Sequence, residues 1–345
     1  MDLVKTLEKL SLASGPSGAE DGVRELAAGL LEPYMDEIYV DVLGNLIGRK
    51  ICSKPGAKRV LIEAHMDEVG FVVTGAKDGF LTLGALGSPD LRHLPGAKLR
   101  LLDSPPKSGV IACLPPHVLS ETDRKKPIAL EDAALDLGLG AEEAEAIPLG
   151  TPAVYDTPPI SMGDGLFCGK ALDNRAGMAA IFLALSRLGE QMDPVDLTVL
   201  FSVQEELHSP GGIQPALFAL EPDYCIVLDV TFADSPDTAT LSTIAMGKGT
   251  AIGIGPVLNR DLSEGLKQLA KDGQIPHQME VAARRTDTSA DYGQISRAGL
   301  PTALLSIPLK YMHSPRELVS LADIEATADL LGALLQSLGG GEDRA

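Results

Sequence analysis

Leu197-Thr198-Val199-Leu200-Phe201-Ser202-Val203-Gln204-Glu205-Glu206 is the stretch on which the fold turns. A short run of mostly apolar, β-prone residues stops at a pair of carboxylates. Strands that are apolar throughout belong to sheets covered on both faces. Three further segments repeat the pattern: Val60-Leu61-Ile62 runs into His65, Cys225-Ile226-Val227-Leu228 into Asp229, and Thr302 to Pro308 leads to His313. Between them, Ala176 to Leu188 and Ile324 to Leu338 carry apolar residues at helical spacing. The expected class is α/β, a sheet with helices on both faces. In such sheets ligands collect around polar residues just past the strand ends.

Working outward, Leu3, Leu7 and Leu10 mark an N-terminal helix. A second is expected to open on Ser17-Gly18-Ala19-Glu20 as a capping box and to continue through Val23, Leu26, Leu30 and Tyr34. Alternation at Ile38, Val40 and Val42, followed by Gly44-Asn45 and Leu46-Ile47-Gly48, predicts a hairpin. From Val69 to Met162 the character changes. Gly and Pro recur, with β-like pieces such as Phe71-Val72-Val73 and Leu99-Arg100-Leu101-Leu102. That stretch reads as a small β domain inserted into the α/β domain, which divides the chain into residues 1–68 plus 163–345 and residues 69–162. The tail from Gly339 to Arg344 is expected to be disordered.

The chain carries 48 acidic and 29 basic residues, a net charge of −19, which excludes a nucleic-acid partner whose phosphates it would repel. Met1 to Leu10 carries charges where an export signal needs an apolar run. The longest apolar stretch is far shorter than the roughly 18 residues of a membrane span. Cys52, Cys113, Cys168 and Cys225 are too far apart for a Cys-rich metal site and fit reduced thiols. A cytoplasmic protein without a membrane partner is therefore expected.

The chemistry-bearing residues are few. His65 and Asp67 lie two apart at a strand end, so imidazole and carboxylate share a side, and Asp67 can fix the His65 tautomer. A polar turn is the alternative. Asp173 precedes a helix, where it either caps the helix or bridges two cations through its two oxygens. Glu205 and Glu206, on an extended backbone, should point in opposite directions, one to a metal and one to a metal-bound water. Burying both without cations would be costly. Asp229 and His313 are lone polar residues after buried strands. Taken together, two His and three carboxylates without Cys suit two divalent ions such as Zn, Co or Mn. Such a pair activates a water and polarises a carbonyl, and Glu205 is placed to accept the water proton.

EAHMDEVGF (63–71), GKALDNRAG (169–177), VQEE (203–206), LDVT (228–231) and YMHSP (311–315), in this order and spacing, resemble the glutamyl and deblocking aminopeptidases, the tetrahedral TET peptidases once labelled endoglucanases. The likeness spans nearly the whole chain. It implies a zinc-exopeptidase-like twisted central β-sheet flanked by helices, with an inserted β-barrel that pairs subunits. It also implies two metals, one on His65, Asp173 and Asp229 and the other on Asp173, Glu206 and His313. Glu205 would be the base and Asp67 would stand behind His65. Peptides would be the substrate, and six dimers would form a hollow dodecamer.

Three departures fall on the substrate side. Leu207-His208-Ser209-Pro210 replaces a usual Gly, Arg284-Arg285 replaces glycines before Thr286-Asp287, and Thr288-Ser289-Ala290-Asp291 replaces Ala-Gly-Ala. His208 is read as making a local hydrogen bond or touching substrate. Arg284 or Arg285 is read as favouring an acidic N-terminal residue or as facing solvent. His93, His117 and His277 are read as structural or exposed. The alternatives to an aminopeptidase are an N-acyl amino acid deacylase and a metal-free glycoside hydrolase using Glu205.

Overall fold

The computed structural model describes residues 1–189, 195–238, 243–293 and 299–339. The expected disordered tail lies, beyond residue 339, outside the described residues. Two helices, α1 (Leu3–Leu12) and α2 (Asp21–Leu31), precede the hairpin of β1 (Glu37–Val40) and β2 (Leu46–Lys50). Strand β3 (Arg59–His65) then enters the centre of the sheet.

The chain next builds a closed barrel from β4 (Gly70–Lys77), β5 (Phe80–Leu86), β6 (Lys98–Leu101), β7 (Lys107–Ala112), β8 (Ala134–Asp136) and β9 (Pro152–Tyr155), with a short helix α3 (Ala141–Glu145) packed on it. The barrel has its own core, including Phe71, Leu81, Leu99, Ile111 and Tyr155. Alternation along β7, with Gly109 and Ile111 inward and Val110 and Ala112 outward, is the period-two signature of a barrel wall. Strands β10 (Ile160–Met162) and β11 (Leu166–Gly169) return the chain to the large sheet, where they pair antiparallel.

The remaining elements alternate: α4 (Leu172–Leu188), β12 (Asp196–Ser202), α5 (Ile213–Leu220), β13 (Tyr224–Phe232), β14 (Thr250–Ile254), α6 (Arg260–Asp272), β15 (His277–Val281), α7 (Ala290–Gly293), β16 (Thr302–Lys310), β17 (Glu317–Ser320) and α8 (Leu321–Gly339). The large sheet runs β1-β2-β12-β3-β13-β16-β17-β11-β10, and β14 pairs with β16 and β15. Its centre, β12-β3-β13-β16, is parallel and covered on both faces, the covering the apolar strands predicted. One face packs on α1, α2, α4 and α8, and the other on α5 and α7. Successive β3 residues therefore alternate between two cores: Val60, Ile62 and Ala64 on one side, Leu61 on the other. Each Leu or Phe fully buried this way is worth roughly 1.5–3 kcal/mol. Parallel strands share one carboxyl edge, and β3, β12, β13 and β16 all deliver a polar residue there.

One sequence expectation fails at α2. No side chain caps that helix. Ser17 Oγ instead donates to Asp67 Oδ2 at 2.6 Å, and Glu20 accepts from Gly18 N at 2.8 Å. A hydroxyl bonded to a buried carboxylate gains more than one bonded to a neutral amide, so Asp67 captures the serine.

Candidate active site

The carboxyl edge of the sheet gathers His65 from the end of β3, Asp229 from β13, Glu205 and Glu206 after β12, Asp173 at the start of α4 and His313 after β16. Asp173 is central. Its Oδ1 lies 3.1 Å from His65 Nε2 and its Oδ2 lies 3.4 Å from His313 Nε2. Asp229 Oδ1 stands 3.8 Å from His65 Nε2, and Glu206 Oε2 stands 3.2 Å from His313 Nε2. Glu205 Oε2 is 3.9 Å from His65 Nε2, and its side chain, 20% exposed, borders the cavity.

The local backbone explains these positions. Gln204 adopts φ +61, which ends β12 and tips Glu205–Leu207 into one turn of 3-10 helix. The expected extended backbone at the acid pair is therefore corrected, although the two carboxylates still separate, one toward each histidine. Both of their N–H groups donate to Asp67, Glu205 N to Oδ1 at 3.1 Å and Glu206 N to Oδ2 at 3.2 Å. Asp67 also lies 3.3 Å from His65 Nδ1. This one carboxylate thus pins the acid turn through two hydrogen bonds and stands beside the histidine ring. Asp173 is not the helix cap. Asn174 is, its Oδ1 accepting from Gly177 N at 3.1 Å, which leaves both Asp173 oxygens for the site. Gly177 is required there, since a Cβ would stand 2.2 Å from Asn174 Oδ1. Non-glycine residues with positive φ cluster around the site at Ala171, Gln204, His208, Asp287, Tyr311 and His313. Each costs on the order of 1–3 kcal/mol, a strain typical of functional sites.

Three supports were not foreseen. Glu317, 1% exposed, accepts from His313 N through Oε1 at 2.8 Å and from Asp173 N through Oε2 at 3.0 Å. The loop after β5 reaches the site from the barrel: His313 Nδ1 donates to Ser88 O at 3.0 Å, and Asp90 N donates to His313 O at 3.0 Å. That contact sets the His313 tautomer and leaves Nε2 facing Asp173 and Glu206. Beneath Asp67, Glu68 binds Lys170 Nζ through both oxygens at 2.7 Å, and all of these groups are buried. Arg175, also buried, stands 3.8 Å from the same carboxylate. Spacing gave no sign of this cluster, because its members lie about a hundred residues apart in sequence.

The electrostatics are those of a cation site. Burial, opposed by His65 and reinforced by neighbouring carboxylates, pushes Glu205 up to about 8. Burial also raises Glu206 and Asp229. Burial works against both histidines, yet bonds to Asp173 lift His65 well above the ordinary range and His313 to about 12. Glu206 Oε1 is buried without a hydrogen-bond partner. Ligand atoms of His65, Asp173 and Glu206 all lie within 4.8 Å of one another. Four converging carboxylates against two imidazoles lack positive charge, and the nitrogen and oxygen donors suit a divalent metal.

The other sequence candidates fall outside this cluster. His208 Nε2 pairs with Ser88 Oγ at 2.9 Å, the local hydrogen bond expected, and also lines the cavity. Arg285 lines the cavity, with Nε bound to Asp291 Oδ2 at 3.0 Å, and Arg284 does not line it. His277 Nδ1 bonds Ile275 O at 2.9 Å. His93 Nε2 lies 3.5 Å from Asp90 Oδ2 on an exposed 3-10 turn.

Solved structures that superpose on nearly the whole chain include aminopeptidases, beside others named endoglucanase. Aminopeptidase APDkam598 from Desulfurococcus kamchatkensis superposes with a TM-score of 0.89 at 31% identity, over 97% of this chain and 94% of that one. The Pyrococcus horikoshii TET1 peptidase, described as assembling into a tetrahedron or a large octahedral shell, gives 0.84 at 29% identity over 97% and 99%. The chain belongs to the M42 glutamyl aminopeptidase family, whose profile matches residues 44–330. Lysyl aminopeptidase of Pyrococcus furiosus is 34% identical over 339 residues, 96% of each chain. The protein is thus a peptidase of the hydrolase class.

Proposed function

We propose that the protein removes N-terminal residues from peptides with two divalent cations, one on His65, Asp173 and Asp229 and the other on Asp173, Glu206 and His313. The observation that carries this reading is Asp173, whose two oxygens address the two histidines separately, at 3.1 and 3.4 Å. Zn, Co and Mn all suit such donors. Bound there, the ions supply Lewis-acid polarisation of the scissile carbonyl and a water of lowered pKa.

The chain's own groups do the rest. Glu205 Oε2, at the cavity wall, takes the proton of the attacking water and returns it to the leaving amine. Cations bound beside it would oppose the upward push of burial and keep Glu205 ionised, able to accept that proton. Asp67 keeps His65 oriented and, through the Glu205 and Glu206 amides, keeps the base and a metal-binding carboxylate at fixed spacing. Ser88 O does the same for His313.

Residues 69–162 are read as the inserted unit that pairs copies of the chain. Val110, Leu114 and Val118 are 48%, 66% and 57% exposed on and beside the barrel, an apolar surface that suits self-association toward a dodecamer. Among the described residues no helix is long and apolar enough to cross a membrane.

A panel of aminoacyl-nitroanilides beside N-acetyl amino acids and cellulose oligomers, each with and without chelator, tests the reading. It predicts chelator-sensitive release from the nitroanilides alone. Cleavage confined to N-acetyl substrates, or chelator-insensitive cleavage of the sugars, would overturn it.

A further inference from the structure

Beyond the metal-site cluster the cavity continues along β13, β15 and β16, about 710 Å³ in all. Within that extension Glu280 is placed with care. It sits on β15 in register with Gly253 of β14, which contributes no side chain of its own. Its carboxylate crosses β14 and accepts from Ser306 Oγ through Oε2 at 2.6 Å and from Thr231 Oγ1 through Oε1. Both hydroxyls belong to strands of the catalytic edge. Ser306 is in register with Asp229, and Thr231 follows Asp229 by two residues on the same face, roughly 7 Å along the strand.

We propose that Glu280 selects peptides whose N-terminal residue carries a cationic side chain, lysine or arginine. This deepens the aminopeptidase reading and rests on it. A carboxylate offers about four acceptor positions, and the two hydroxyls occupy two, leaving others toward the half-open cavity. An N-terminal residue with its α-amine at the cluster places its side chain along β13 toward Glu280. Phe232, Ile244 and Leu304 line the way, apolar surface on which the methylene stem of a lysine can lie. The cavity's charge agrees. Among the described residues the cavity's one arginine, Arg285, is bound to Asp291, and no lysine or arginine pairs with Glu280. Asp287 adds a second acid to the wall. The expectation from Arg284 and Arg285, a preference for an acidic N-terminal residue, is the opposite, and the family's lysyl and glutamyl names do not decide between them.

The test measures kcat/KM of the metal-loaded enzyme on lysyl-, arginyl-, leucyl- and glutamyl-nitroanilides, for wild type, Glu280→Gln, Glu280→Lys and Arg285→Ala. Glu280→Gln keeps an acceptor for a hydroxyl but removes the charge. It should lower the lysyl-to-leucyl ratio at least tenfold, about 1.4 kcal/mol, with the change mainly in KM. Glu280→Lys should shift preference toward glutamyl. Binding of L-lysinamide, measured by calorimetry, should weaken in Glu280→Gln by a similar factor. A wild type that prefers glutamyl or leucyl substrates, or a ratio unmoved in both Glu280 variants, overturns the assignment while leaving the aminopeptidase reading intact. If no nitroanilide is cleaved at all, both fall together. A preference that collapses only in Arg285→Ala gives the selection to the arginine.

Discussion

Replacing Glu317 by glutamine changes one atom in a side chain that is buried in the protein, and the consequence should nonetheless reach the metals. Glu317 holds the backbone of His313 at 2.8 Å and of Asp173 at 3.0 Å from within the protein. Bound cations favour its ionised form, which accepts both N–H groups. Glutamine keeps one acceptor and turns an NH2 toward the other N–H. One buried donor then loses its partner, at a cost of about 1–3 kcal/mol. Both N–H groups belong to residues that address the ions, so the loss should appear as a fall of roughly 10- to 100-fold in metal affinity, the range known for groups that orient ligands. The assay is competition with a chelating dye for Zn or Mn, run beside thermal unfolding of the metal-free protein. Glu317→Gln with wild-type metal affinity but a lowered unfolding temperature would refute the reasoning and leave Glu317 as a purely structural residue.

Three further outcomes are expected. Glu205→Gln should retain every equivalent of metal that wild type binds and lose about 10²- to 10⁴-fold in kcat; metal analysis showing a lost equivalent would place Glu205 among the ligands instead. Val110→Asp combined with Val118→Asp should convert the assembly to smaller species by light scattering with the nitroanilide activity per chain largely kept, and an unchanged particle would put the contacts elsewhere. Glu205 and Glu317 are pushed by burial to about 8 in the absence of metal, against 4.5 for the ordinary side chain. The folded chain then holds protons the unfolded chain releases, so chelated protein should lose stability as pH rises from about 4.5 to about 8, while metal-loaded protein changes little; parallel melting profiles for the two forms would contradict this.

Much of the site was legible because its donors stand at the ends of apolar runs. Val60 to Ile62, Leu197 to Phe201 and Cys225 to Leu228 became neighbouring parallel strands, and that topology alone brings His65, Glu206 and Asp229 to one edge. What escaped has a physical reason in each case. Glu317 follows no apolar run, and its partners are backbone amides, one of them 144 residues away in sequence. The Gln204 turn depends on a left-handed residue that is not a glycine, which no composition rule marks. Ser17 fits a capping box by sequence, but a buried carboxylate from β3's far end competes for its hydroxyl. Glu280 reads as an ordinary polar position on an amphipathic strand until β14 supplies a glycine in register.

The central claim is that two cations share Asp173, and titrating metal-free enzyme with Zn, Co or Mn while following both binding and leucyl- or lysyl-nitroanilide hydrolysis tests it most directly. Two equivalents per chain are predicted, with both binding steps weakened in Asp173→Asn, and activity appearing as the pair is completed. A single equivalent at saturation, or full activity in the chelated protein, would contradict the account.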